Sequence, residues 1–145
     1  MLVCGIGDPR IKLEVCKDLL QRGARFTNLI HPGAQVSSNV RMGMGIVVAG
    51  FTILSNFARL GDFITVNVFC GIGHDSTIGE GCTFSPFSDV TGSAVLERGV
   101  FMGTNSAVIP GVRVGEFAKI GAGSVAYTNV KAGNTVIGVP AKTFL

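Results

Sequence analysis

Apolar side chains recur every six residues along most of the chain. Starting at Ile30, the series runs through Val36, Met42, Val48, Leu54, Leu60, Val66, Ile72, Ile78, Phe84, Val90, Leu96, Met102, Val108, Val114 and Ile120 without insertion or gap. Four residues after each member comes a second series, including Ile46, Ile64, Cys70, Ser76, Cys82, Ser106 and Ser124, whose members are small or β-branched. A long amphipathic helix would repeat at 3.6 residues; a period of six fits short strands separated by turns. The fifth residue of one hexad and the first of the next are two apart, so both point to the same side of a strand. The second residue of the hexad is Gly at 43, 61, 73, 79, 103, 115, 121 and 133, where a missing Cβ is expected to permit a tight corner. One hexad cannot bury its own apolar residue, so successive hexads must coil and stack. The pattern therefore predicts a parallel β-helix from residue 30 onwards.

Composition agrees. The chain has 145 residues, of which 47% are hydrophobic and only 14% charged, with 21 Gly, which suits one principal domain with apolar surface left for subunit contacts. The net charge of +3 is spread without a Lys/Arg run, so neither nucleic acid nor a membrane surface is an expected partner. The longest apolar stretch, near Gly45 to Leu54, is too short to span a bilayer, and no secretory leader is visible. A cytoplasmic protein is expected. Cys4, Cys16, Cys70 and Cys82 form no C-x-x-C pair and are read as reduced packing residues.

Ahead of the repeat, Leu2 to Ile6 reads as a short β-strand, and Ile11, Val15, Cys16 and Leu19 recur at helical spacing. Asp8 is placed to cap that helix, Pro9 to open it and Gly23 to end it. Gly5-x-Gly7 lacks the third glycine and the complete βαβ unit of a dinucleotide fingerprint, so it reads as a strand-to-helix turn.

The hexads Ile72-Gly73-His74-Asp75-Ser76-Thr77, Ile78-Gly79-Glu80-Gly81-Cys82-Thr83 and Val114-Gly115-Glu116-Phe117-Ala118-Lys119 resemble the signature of the hexapeptide-repeat acyltransferases. The junction from Cys4-Gly5-Ile6-Gly7-Asp8 through a helix to Asn28-Leu29-Ile30-His31-Pro32 is similar to that of the sugar O- and N-acetyltransferases of the sialic-acid and bacillosamine type. The resemblance implies a left-handed parallel β-helix with three hexads per coil, about six coils, and roughly 28 Å of stack at about 4.8 Å per layer. It also implies that residues 1–29 are the remnant βα segment of an N-terminal nucleotide-sugar-binding domain, whose Gly-rich loop is missing here. Residues 30–145 would then be the acyltransferase domain.

The fourth hexad position faces outward by alternation, yet Phe51, Phe57, Phe63, Phe69, Phe87 and Phe117 all occupy it. With three hexads per coil, Phe51, Phe69 and Phe87 stack on one face. Phe63 and Phe117 fall on a second face, and Phe57 falls on the third, beneath Asp75. Outward rings in a ladder need a cover, since burying one is worth on the order of 1.5 to 3 kcal/mol. A neighbouring subunit is the expected cover, and three-fold closure predicts a homotrimer.

His74 is the candidate catalytic residue. A histidine near neutral pH can take a proton from an attacking amine or hydroxyl, and the carboxylate of Asp75 can orient the ring. Asn56 and Gly92 are its stacked neighbours, and Gly92 leaves space beside the imidazole. His31, before Pro32 at the mouth of the coil, reads as structural. By the resemblance, Gly92, Thr104 and Ala122 contact acetyl-CoA, and Gly103-Thr104-Asn105-Ser106-Ala107-Val108-Ile109-Pro110 and Gly138-Val139-Pro140-Ala141-Lys142 belong to the late coils that line the coenzyme groove between subunits. Thr83 stands where some members of the family have a second histidine.

The expected activity is acetyl transfer from acetyl-CoA to an amino or hydroxyl group of a nucleotide-linked sugar, with His74 as general base, Asp75 orienting it, and the Gly92 N–H facing the thioester oxyanion. No metal is required. A zinc carbonic anhydrase on the same fold needs three histidines around the metal, and this chain has two in all. Two other readings stand beside the leading one: a serine-type or small-amine acetyltransferase, and a non-catalytic solenoid serving only trimerisation or binding.

Overall fold

The computed structural model describes residues 1–144; Leu145, the last residue of the expected β-helix domain, lies outside them. Two-residue strands wind into a three-sided coil of about six turns. The first face stacks Leu29–Ile30, Val47–Val48, Thr65–Val66, Thr83–Phe84, Phe101–Met102, Lys119–Ile120 and Thr135–Gly138. The second stacks Gln35–Val36, Ile53–Leu54, Gly71–Ile72, Asp89–Val90, Ala107–Val108 and Val125–Ala126. The third stacks Arg41–Met42, Arg59–Leu60, Thr77–Ile78, Val95–Leu96 and Arg113–Val114. Neighbours pair in parallel three hexads apart, as in Leu29 with Val47 and Gly71 with Asp89.

The two sequence series fill the interior. Leu54, Val66, Phe84, Val90, Met102, Val108 and Ile120 are fully buried, as are Ile46, Ile64, Cys82, Ala94 and Ala118 from the second series. Among the described residues all four cysteines are free and buried, as expected of packing residues.

The corners differ from expectation in one respect. Positive φ falls at the fourth hexad position, not the second: Phe51, Phe57, Phe63, Phe69, Asp75, Phe87, Ser93, Asn105 and Phe117 all have φ between 53° and 63° there, alongside Gly45, Gly81 and Gly99. This conformation aims the residue's N–H at the coil beneath, as Phe63 N donates to Met44 O (2.8 Å) and Ser93 N to His74 O (2.8 Å). The second-position glycines serve a different need. A Cβ at Gly79 would lie 2.6 Å from Arg98 N, and one at Gly103 2.6 Å from Ala122 N, so glycine there lets one coil sit directly on the next.

The last coil is shorter. Val130 bridges to Val114 and Thr135 pairs with Lys119, a spacing that falls short of three hexads, so Gly133 (φ 72°) takes over the corner position. The chain then folds back, with Ala141–Thr143 antiparallel to Thr135–Gly138.

Ahead of the coil, helix α1 (Pro9–Gln21) starts as anticipated, with Asp8 Oδ1 accepting from Arg10 N (2.9 Å) and Ile11 N (3.0 Å). Those bonds, that from Ile11 above all, hold the Asp8 carboxyl below its ordinary range. The helix ends at Gly23 (φ 85°). The expected strand from Leu2 to Ile6 reduces to a single parallel bridge between Leu2 and Phe26. The helical face turned to the coil also differs from the apolar stripe expected: Pro9, Lys12, Leu13 and Cys16 are buried, whereas Ile11 is 54% exposed and Val15 36%. The reason is the corner it meets. Gly81 leaves a notch in which Leu13 sits, 2.5 Å from where a Cβ would be, and Phe63, 2% exposed, closes the contact edge-on against Phe26 at 5.0 Å.

Lys12 is the unusual member of this contact. It is fully buried, and its ammonium donates to Thr83 Oγ1 (2.7 Å), Thr65 Oγ1 (3.1 Å) and Cys82 O (3.1 Å), with no carboxylate in reach among the described residues. Burial pushes its pKa down to about 8.

Candidate functional site

Three corners separate the three faces. The corner between third and first faces is covered by α1. The other two are open, and they hold the predicted site residues.

His74 and Asp75 lie on the corner between second and third faces. Along a strand, adjacent side chains point to opposite sides, so consecutive residues rarely meet. The positive φ of Asp75 (58°) breaks that alternation and brings its Oδ2 to 2.8 Å from His74 Nδ1. An ionised carboxylate only accepts, so the contact favours a hydrogen on Nδ1, and in the neutral ring that tautomer leaves the lone pair on Nε2. The corner is locked from inside by Ser76, which is buried and whose Oγ donates to Gly73 O (2.6 Å). Asp75 N donates to Asn56 O in the coil below (3.1 Å), and His74 O accepts from Ser93 N in the coil above.

Nε2 faces Gly92. A Cβ at that position would lie 2.5 Å from Nε2 and 2.7 Å from Cε1, so any other residue would collide with the ring. Gly92 O accepts from Gly111 N (3.2 Å), while the Gly92 N–H has no protein acceptor among the described residues. The imidazole and the carboxylate are 67% and 57% exposed, so both reach molecules arriving from solvent.

Thr104 and Ala122 are placed elsewhere. They stack on the corner between first and second faces, where Gly123 N donates to Thr104 O (2.8 Å), and both are exposed. Below them on the same corner, Phe51, Phe69 and Phe87 form the expected ladder, with rings 5.0 Å apart and within 7° of parallel. They are 65%, 49% and 52% exposed. Phe57, beneath Asp75, is also exposed at 57%, whereas Phe63 lies under α1. One chain thus brings His74, Asp75 and Gly92 together and leaves Thr104 and Ala122 a corner away.

His31 accepts from Gly33 N through Nδ1 (3.0 Å) and packs against Gly50, the structural role expected of it. Thr83 is buried and holds Lys12, a part the repeat pattern did not reveal because the partner comes from outside the repeat. Among the described residues no group of three or more His, Cys, Asp or Glu side chains is arranged to hold a metal ion. No described helix is long and apolar enough to cross a membrane.

Comparison with solved structures decides the family. The chain superposes with a TM-score of 0.97 and 32% identity on PerB from Caulobacter crescentus, solved with CoA and GDP-perosamine, covering 99% of this chain and 70% of that one. It belongs to the hexapeptide-repeat, left-handed β-helix acetyltransferase family. Within that family it is also similar to the acetyltransferase domain of PglB from Neisseria gonorrhoeae in complex with acetyl coenzyme A, with a TM-score of 0.93, 26% identity, and coverage of 98% of this chain and 69% of that one. Among curated sequences, GDP-perosamine N-acetyltransferase of Escherichia coli O157:H7 is 30% identical over 143 residues. Those residues make up 94% of this chain and 64% of that protein, so the chain spans under two thirds of this relative's length. No family model matches the chain.

Proposed function

We propose that this protein transfers an acetyl group from acetyl-CoA to an amine or hydroxyl of a nucleotide-linked sugar, the amine being favoured by the acceptor of its relatives. The observation that carries the reading is the His74–Asp75 pair at 2.8 Å with Nε2 open over Gly92. The acceptor nitrogen attacks the thioester carbon, and Nε2 takes its proton as the bond forms. Asp75 holds the tautomer and stabilises the imidazolium. The unpartnered Gly92 N–H is suited to donate to the oxyanion that develops. Collapse of the tetrahedral species breaks the C–S bond, and the imidazolium returns the proton to the departing thiolate.

Thr104 and Ala122 fit this reading as contacts for the acyl donor supplied by a neighbouring copy. A homotrimer closed on the phenylalanine corner would set that corner of one subunit against the His74 corner of the next, completing a site that one chain leaves in two parts. Residues 1–29 fit the last βα unit of a nucleotide-sugar-binding domain. Val15, Leu19 and Phe26 border an apolar groove of about 250 Å³ with Leu2 to Ile6, a face suited to further packing. A cytoplasmic setting accords with four free cysteines.

The experiment is acetyl transfer from acetyl-CoA to a panel of nucleotide-linked amino sugars, free amino sugars and serine, followed by thiol release. Turnover with a nucleotide-linked amino sugar well above serine supports the reading. Preference for serine would move the protein to the small-amine class, and trimerisation without any thiol release would make it a binding solenoid.

A further inference from the structure

Charge is distributed unevenly around the coil. None of the 12 Lys and Arg residues lies on the second face or on either corner that bounds it. Arg41, Arg59 and Arg113 stand on the third face, Lys119 stands on the first, and Arg98 sits on the corner that α1 covers, paired with Glu80 (3.0 Å). Lys131 and Lys142 belong to the closing end, and the others precede the coil. The outward column of the second face is filled instead by Ile53, Gly71, Ala107 and Val125, with Ile53 49% exposed. The buried centres of protein interfaces are depleted of charge in the same way.

Among the described residues Asp89 is the one charged side chain of that face. It stands in the middle of the column, in register with Gly71 below and Ala107 above, and its Oδ1 lies over Gly71, where a Cβ would collide with it. Asp62 is tucked over Gly43 in a similar way, and there it accepts from Met44 N (2.9 Å). Asp89 has neither donor nor cation among the described residues, and burial alone raises its pKa above the ordinary carboxyl value. The strand below offers it only Gly71 and the inward thiol of Cys70, and the strand above only Ala107. Thr91, beside it, is turned to Val108 O (2.7 Å). The remaining titratable groups on this side of the coil are Tyr127, two coils above, and the His74–Asp75 pair at the edge of the face.

The trimer proposed above sets the first–second corner of one chain against the second–third corner of the next, and these corners are the two edges of this face. Repeated three times, that contact turns three second faces toward the axis and leaves α1 on the outside. We propose that the second face is the surface buried between copies of this chain, and that Asp89 enters it without a partner, so that assembly takes up protons. The inference rests on the trimeric reading above. Neither the face nor its two corners carry a Lys or Arg to pair the carboxylate, and a dry contact accepts its neutral form more readily than its charged one. The carboxyl therefore holds its proton to higher pH in the assembled state than in the free chain. Its contribution to assembly is full below the free-chain value and is lost as pH rises through the assembled one. Because the candidate site is divided between the two corners, the same proton adjusts how many complete sites a dilute solution contains.

The test is a dilution series of the full chain by sedimentation velocity, comparing the wild type with Asp89→Asn at about pH 5.5 and about pH 7.5. At the higher pH the Asn variant should dissociate at a concentration at least about tenfold lower than the wild type does, since it carries no charge into the contact. Acidification should lower the wild-type midpoint by about tenfold or more relative to that of the variant, and the comparison cancels the titration of His74 and every other group the two proteins share. Two further variants locate the surface. Ile53 and Thr77 are both exposed, on the second and third faces, so each tolerates a Lys in the folded chain. Ile53→Lys should give a folded monomer, checked by circular dichroism, and Thr77→Lys a trimer like the wild type. A trimer that survives Ile53→Lys and not Thr77→Lys overturns the assignment of the face. An Asn variant that assembles more weakly than the wild type shows the carboxylate to be paired, and overturns the proposal, as does an identical pH response in the two proteins. A wild type that stays monomeric at both pH values removes the trimeric reading and this inference with it, whereas the other adverse results leave that reading standing.

Discussion

Gly92 sits one coil above His74 with its α-carbon so close to the ring that a Cβ would come within 2.5 Å of Nε2. The nitrogen proposed to accept the acceptor's proton therefore owes its access to a missing side chain. Gly92→Ala should lower kcat/KM by about 10² or more, since displacing a reacting group by an ångström can cost that much. The Ala variant should melt close to the wild type, because the corner is exposed to solvent. Kinetics near wild type would show that Nε2 does not face the reacting centre.

Asp75 fixes the imidazole through a 2.8 Å contact made possible by its positive φ. Asp75→Asn retains the shape but not the charge that stabilises the imidazolium. We expect kcat to fall by about 10 to 10³ with KM for acetyl-CoA little changed. A kcat equal to that of the wild type would remove Asp75 from the mechanism.

Lys12 offers a stability test apart from catalysis. Its pKa is lowered from 10.5 to about 8 by burial, so the folded state binds fewer protons than the unfolded state between those values. Stability should accordingly rise with pH above about 8 and carry the full burial cost below it. The buried thiols of Cys16 and Cys82, raised to about 12, act oppositely above their ordinary value of 9.0, which confines the clean window to about pH 7 to 9. Across it the wild type should gain about 1 kcal/mol relative to Lys12→Met, read from urea midpoints at each pH. Parallel curves for the two proteins would contradict an uncompensated ammonium at this site.

The ladder of Phe51, Phe69 and Phe87 leaves three stacked rings about half in water. Phe69→Asp should weaken a trimer closed on this corner, since one ring is worth on the order of 1.5 to 3 kcal/mol at each contact and the carboxylate adds a desolvation cost. Light scattering should give a trimer for the wild type and a concentration-dependent loss of mass for the variant. A wild-type species of 15.1 kDa at micromolar concentration would refute the assembly.

Much of this was legible in the sequence because a solenoid's contacts are local in the repeat. Leu54, Ile72 and Val90 are buried for the same reason, and stepping by three hexads places Gly92 over His74. What the repeat hid depends on backbone conformation or on partners outside it. Bulky phenylalanines at positive φ are uncommon, and nothing in Phe69 announces one. The use of Gly79 or Gly103 to admit the next coil depends on a clearance between layers that a hexad cannot display. The seat of Lys12 joins three coil atoms to a helix that carries no hexads, and the apolar spacing of Ile11 and Val15 pointed to a different face. The coil from Val114 to Val130 falls short of three hexads where the apolar series fades, so periodicity gave no warning of it.

The central claim is that His74 Nε2 is the base for acetyl transfer, and His74→Ala tests it most directly. Single-turnover transfer from acetyl-CoA to an accepted nucleotide-linked amino sugar should slow by about 10² to 10⁴ in the purified variant, with its melting temperature and coenzyme A affinity preserved. A folded variant that binds coenzyme A and transfers acetyl at a rate near that of the wild type would contradict the account.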